Sequence, residues 1–121
     1  MNTAVASTSA LAPKAAEAAE LLRALSNEHR LLILCHLIAE AELPVGELVS
    51  RVGLSPSALS QHLAKLREQG LVGYRREAQT LYYRVTDARA AKVLSVLQDI
   101  YCPELAPRRS TQVRGKARRS P

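Results

Sequence analysis

The hydroxyl and amide groups of Ser57, Ser60 and Gln61 stand close together in the run Leu54–Leu66, with His62 and Lys65 beside them. Short side chains of this kind come near to base edges and phosphates and form hydrogen bonds there. Two thiols, Cys35 and Cys102, offer a second kind of chemistry, because an accessible thiolate is a nucleophile. There is no Cys-x-x-Cys pair and no recognisable nucleophile–base constellation, which argues against a thiol oxidoreductase. Neither catalytic residues nor a cofactor are expected, and the chain is not read as an enzyme.

The elements around these residues decide between readings. Ser55 is placed to cap a helix, since its hydroxyl can accept a bond from a first-turn amide. Pro56 suits the first helical position, where its missing N–H costs nothing. Leu59, Leu63 and Leu66 then share one face, and Ser57, Gln61 and Ala64 point away from it, with Ser60 at the edge. Taken alone, that polar face fits an ordinary surface helix as well as one that reads DNA. Gly70 is the residue type that closes such a helix most easily.

Upstream, residues 1–12 are Ala-, Ser- and Thr-rich without periodicity and are expected to be a disordered arm. A helix over Lys14–Leu25 would place Ala15, Ala18, Leu22 and Leu25 on one side. After Ser26-Asn27 a second helix runs to about Glu40, with Leu31, Leu34, Cys35 and Ile38 as its apolar face and Leu32 and Leu37 alongside. Residues 41–44 form a break, and a short helix carries Leu48, Val49 and Val52. Beyond Gly70 the period changes to two. Leu71–Arg76 and Thr80–Val85 read as strands, with Glu77-Ala78-Gln79 turning between them. Asp87 caps a last helix from Ala88 to about Tyr101, apolar over more than half its circumference. Its surplus apolar face calls for a second surface, most simply a symmetry mate.

The fold class expected is mainly α with a β-hairpin, in the order α-α-α-α-β-β-α. A short helix, a tight turn at Gly53-Leu54 and a polar-faced helix make a helix-turn-helix, and the hairpin with Arg75, Arg76 and Arg84 makes a wing. Residues 13–104 would form this DNA-binding and dimerisation domain, and residues 105–121 a basic disordered tail. The core is aliphatic, because 47% of the residues are hydrophobic but Trp and Phe are absent. No apolar run is long enough to span a bilayer and no secretory signal is visible, so the expected location is the cytoplasm, with thiols reduced and no membrane partner. The net charge of +6 resides in the tail: residues 105–121 hold six basic and no acidic side chains. The remainder is balanced but polarised, with eight basic against three acidic groups over residues 51–92. A basic end on a neutral body suits a polyanion such as double-stranded DNA.

Over residues 15–104 the sequence resembles the ArsR–SmtB family of bacterial repressors. The resemblance is carried by Leu25-Ser26-Asn27-Glu28-His29-Arg30-Leu31-Leu32-Ile33-Leu34, by Ser57-Ala58-Leu59-Ser60-Gln61-His62-Leu63-Ala64-Lys65-Leu66-Arg67, by Gly70-Leu71-Val72 and by Arg75–Arg84. It implies a homodimer joined by the first and last helices, bound to operator DNA until an inducer is sensed. It assigns Ser57, Ser60, Gln61, His62 and Lys65 to the reading helix and Arg75, Arg76 and Gln79 to the wing. Ala78 stands where the family usually has Gly at the wing tip.

Metal sensing, common in such relatives, is not expected. The short helix before the reading helix has no Cys, the start of the last helix offers one Asp and no His, and His29, His36 and His62 lie elsewhere. On its own residues, Cys35 reads as a small buried hydrophobe, whereas Cys102, at a helix end before Pro103, is accessible. The stretches Arg30–Cys35 and Ile100–Glu104 resemble the persulfide-sensing branch of the family (the BigR/SqrR type). That resemblance implies a Cys35–Cys102 dithiol, bridged as a disulfide or polysulfide by reactive sulfur species, with release of the operator. A repressor that senses general oxidants or a soft metal through the same thiols is the alternative, and a non-specific DNA-coating protein a further one.

Overall fold

Ser55 Oγ accepts the Ala58 N–H at 3.1 Å, so the helix that carries Ser57, Ser60 and Gln61 starts where its sequence says it should. A computed structural model describes residues 10–103 of the chain. Its helices are α1 (Ala15–Leu25), α2 (Glu28–Glu40), α3 (Val45–Val52), α4 (Pro56–Glu68) and α5 (Ala88–Tyr101). Its strands are β1 (Leu43–Pro44), β2 (Val72–Glu77) and β3 (Thr80–Val85). This is a winged helix fold with five α-helices and a three-stranded antiparallel sheet, in the order β1-β3-β2.

Local chemistry sets most boundaries. Asn27 Oδ1 accepts the Arg30 N–H at 3.0 Å and starts α2. Asp87 Oδ1 accepts the N–H groups of Arg89 (2.8 Å) and Ala90 (3.1 Å) and starts α5. Gly53 and Gly70 hold φ of +71° and +75°, a region where a Cβ is unwelcome. At Gly70 the Leu71 N–H reaches the Leu66 carbonyl at 2.9 Å and the Gly70 N–H reaches that of Arg67 at 3.0 Å, which closes α4 in a Schellman motif.

The core is aliphatic and centred on α2. Ile33, Leu34 and Leu37 of that helix meet Leu48 of α3, Leu59, Leu63 and Leu66 of α4, and Leu94 of α5, all buried. Fully burying one such side chain stabilises the fold by about 1.5–3 kcal/mol. The expected α2 face is corrected in emphasis: Leu34 and the flanking Leu37 are buried as read, but Ile33 is fully buried too, Leu31, Cys35 and Ile38 are only half-buried, and Leu32 is exposed. α2 packs against α3, β3 and α5 together, so its buried arc is wider and rotated. On α1 the core side is Leu21, Ala24 and Leu25, and Ala15, Ala18 and Leu22 face outward.

Three further departures have physical causes. The break at residues 41–44 holds β1, which pairs Leu43 with Tyr83 and Pro44 with Tyr82 and gives the hairpin a third strand. A two-stranded hairpin alone is marginal. The first hairpin strand begins and ends one residue later than expected, while the second keeps its expected bounds, because Glu77 pairs with Thr80 and leaves Ala78-Gln79 as a two-residue turn. Residues 10 and 11 are helical and Ala12–Lys14 form a 3-10 turn, so the backbone is regular at the end of the segment read as an arm. The rest of that arm, residues 1–9, and the basic tail over 105–121 lie outside the described residues. No helix among the described residues is long and apolar enough to cross a membrane.

Candidate nucleic-acid interface

The leucine stripe seats α4, and the opposite face is open. Leu59, Leu63 and Leu66 are buried, and Ser57, Ser60, Gln61, Ala64 and Lys65 are exposed. These five form a continuous surface of small hydroxyl, amide and methyl groups flanked by one cation. Beside it a cleft separates α4 from the sheet, lined by Ser60, Ala64 and Arg67 on one wall and Gln79, Thr80 and Tyr83 on the other. The Arg67 guanidinium lies 5.0 Å above the Tyr74 ring, which stacks in turn on Tyr83 at 5.3 Å, so the wall is held by side-chain packing.

His62 does not join this surface. It is half-buried, about 150° around the helix from the polar face, with its ring 5.9 Å from that of His29 on α2. Burial first, and then the charges of Arg30 and His29, hold its pKa below the usual histidine value. A half-buried imidazole beside His29 of α2 suits support of the reading helix.

The two wing arginines adjacent in sequence have different surroundings. Side chains alternate across a strand, so Arg75 and Arg76 project from opposite faces. Arg75 is held: its Nε and Nη2 donate to the Glu42 carboxylate at 2.9 and 3.1 Å, and its Nη1 donates to Glu77 at 2.9 Å. The guanidinium also lies 4.5 Å above the ring of its cross-strand partner Tyr82. The hydrogen bonds from Arg75 keep the Glu42 carboxyl below the usual carboxylate range, and those of Glu42 and Glu77 push the Arg75 pKa up. Arg76 and Arg84 are exposed and form no ion pair among the described residues. Gln79 is exposed at the wing tip, next to Ala78, which holds a φ of +58°. Only the first of the two turn residues has positive φ, the sign pattern of a type II′ turn that prefers Gly there.

The two thiols are free and each half-buried, Cys35 on α2 and Cys102 at the end of α5. α2 and α5 pack against each other, and Gln98 of α5 donates to the Cys35 carbonyl at 2.8 Å. Burial pushes the Cys35 thiol up, a hydrogen bond from Gln98 pulls it down, and the nearby Cys102 pushes it up again. Among the described residues no group of three His, Cys, Asp or Glu side chains could hold a metal ion.

Glu42 and Gln98 were not singled out from the sequence. Glu42 finds Arg75 across 33 residues, which local spacing does not reveal. Gln98 did leave a signal: it continues the four-residue spacing of Ala90 and Leu94, a polar residue on an apolar stripe.

Comparison with known proteins adds independent findings. Residues 27–74 match the family described as "Bacterial regulatory protein, arsR family". The chain is 52% identical over 87 residues to the transcriptional activator HlyU of Vibrio cholerae, covering 72% of this chain and 80% of that protein. The structure of reduced HlyU from Vibrio cholerae matches with a TM-score of 0.72 at 49% identity, over 76% of this chain and 96% of that one. The structure of the transcriptional repressor BigR from Xylella fastidiosa matches with a TM-score of 0.72 at 40% identity, over 78% and 95%.

Proposed function

The chain belongs to the ArsR family of bacterial regulatory proteins, and from that premise we propose that it is a repressor that releases its operator when Cys35 and Cys102 are bridged by reactive sulfur species. Its relatives are transcriptional regulators, not enzymes, and regulation of transcription through DNA is the activity of the family. HlyU is an activator and BigR a repressor, so the repressing direction is part of our reading.

One observation carries the sensing half: two free, half-accessible thiols stand on two helices that pack against each other. That a matched relative was solved as reduced HlyU is consistent with a redox-responsive fold. The reaction balances with a hydropersulfide donor, RSSH. One cysteine thiolate attacks the terminal sulfur, forming Cys–S–SH and releasing RS⁻. The other thiolate attacks the inner sulfur of Cys–S–SH, and HS⁻ leaves as the Cys35–Cys102 disulfide forms. The two thiols are oxidised, and the donor is reduced to RSH and hydrogen sulfide.

Release follows from where the bond lies. Ser57, Ser60 and Gln61 face base edges in this reading, with Lys65, Arg76 and Gln79 at the backbone, while His62 and Arg75 position the elements that carry them. Val96, Ile100 and Tyr101 leave an apolar face of α5 uncovered, and Leu22 does the same on α1. A second copy covers these faces in a homodimer. Tying α2 to the end of α5 shifts that interface and changes the separation of the two reading helices. Half-sites about one helical turn apart tolerate little such change.

The test combines chemistry and binding. The operator is selected from random duplexes with reduced protein, then titrated before and after treatment with glutathione persulfide, with the bridge mapped by peptide mass. The expected result is loss of operator affinity in step with Cys35–Cys102 bridging. Unchanged affinity after complete bridging, or an undiminished response in Cys35→Ser and Cys102→Ser, refutes the switch. Response to peroxide or a thiophilic metal but not to persulfide moves the inducer to another class.

A further inference from the structure

Gln98 is the one fully buried polar side chain among the described residues, 1% exposed, and it lies one turn before Cys102 on α5 and in hydrogen-bond contact with the Cys35 backbone. α5 turns Ala90, Leu94 and Gln98 inward at four-residue spacing, and Cys102 continues that stripe. The Gln98 Nε2 donates to the Cys35 carbonyl at 2.8 Å, joining α5 to α2 at the sensor position itself. Its backbone carbonyl accepts the Cys102 N–H at 2.8 Å, a bond that any residue at 98 would make. Its Oε1 is buried without a hydrogen-bond partner, which opposes folding. An aliphatic residue would fill the stripe without that cost. The amide is therefore a poor choice for packing and a specific one for the neighbourhood of Cys35.

Resting on the dithiol reading above, we propose that Gln98 is the positioning residue of the sensor: its amide anchors the Cys35 turn of α2 against α5 and holds the two thiols in register for bridging. The Gln98 side chain also works against the rise that burial imposes on the Cys35 thiol, and Cys102 is the titratable neighbour whose charge adds to that rise. The residue thus acts through Cys35 and does not itself react.

The full-length reduced protein tests this with Gln98→Met, which keeps length and loses both hydrogen-bonding groups, and with Gln98→Leu as a second apolar filling. Three quantities are read: the thermal melt, the rate of Cys35–Cys102 bridging by glutathione persulfide, and the pH profile of iodoacetamide alkylation at each cysteine. Bridging is expected to slow roughly tenfold in a variant that melts like the parent, as befits loss of one part-buried hydrogen bond that joins the two helices. The alkylation profile of Cys35 should move to higher pH while that of Cys102 stays, because the backbone bond to Cys102 survives. Parental bridging rates with an unmoved Cys35 profile would overturn the proposal. So would destabilisation that alters both cysteines alike, since Gln98 would then be structural only. Bridging is read by mass without DNA, so a parent protein that bridges yet keeps its operator sinks the switch and leaves this proposal judged on its own rates.

Discussion

Asp87 illustrates how far one side chain's role can be read before any fold is known. It stands one residue before an apolar periodic segment, and its carboxylate indeed accepts two first-turn N–H groups. Asp87→Ala is expected to cost about 1 kcal/mol at pH 7, measured by urea denaturation. The hydrogen bond from Arg89, and then the backbone N–H groups, hold the Asp87 carboxyl below its usual range. A depressed folded pKa gives stability that is present above the unfolded value, about 3.9, and is lost as pH falls through the folded one. The gap between parent and variant should therefore close below about pH 4; a constant gap would mean that the carboxylate charge does not matter. Arg75 shows the opposite case. Its place on the wing implied a role in DNA binding, and its partner Glu42, which local spacing does not reveal, lies on a segment distant in sequence. Arg76→Ala should weaken binding to all duplexes alike and lower the salt slope by about one, whereas Arg75→Ala should leave that slope in place. Equal slopes for both variants would return Arg75 to the interface.

At the scale of elements, legibility followed the range of the determining contacts. α4 was readable because its cap, its leucine stripe and its glycine stop are all local. β1 was not, since two residues carry no period and their pairing with Tyr82 and Tyr83 spans the whole helix-turn-helix. The outward turn of Leu22 was equally hidden, because spacing gives a shared face but not which of two apolar flanks meets the core. The wing tip joins both lessons. Ala78 in place of Gly was visible in the sequence, and the backbone keeps the positive φ that Gly would accept freely. A left-handed conformation costs a residue with a Cβ about 1–2 kcal/mol, partly offset by the entropy that Gly loses on folding. Ala78→Gly should stabilise the protein by roughly 0.5–1 kcal/mol and slow amide exchange along β2 and β3. A destabilised variant would mean that the alanine methyl makes a contact worth more than the strain.

For the whole molecule, the outward apolar residues have to be reconciled with the buried sensor. Ile100 is 62% exposed and Tyr101 75% exposed, yet Cys102 directly follows them on the inward stripe. In the proposed reading, the last turn of α5 carries on one side the surface offered to a second copy and on the other the thiol that bridges to Cys35. Movement of that turn cannot leave either side untouched, and by this route the proposed bond inside one protomer would reach the spacing between two. Ile100→Glu tests the premise, because a carboxylate at the centre of an apolar interface has no partner there and its burial is costly. The variant should sediment as a monomer with a parental circular dichroism spectrum. Its affinity for a full operator should fall to that for a single half-site, while the bridging rate of Cys35 with Cys102 changes little. If instead the monomeric variant keeps full operator affinity, the reading helices act singly, and no change in their separation could release the DNA.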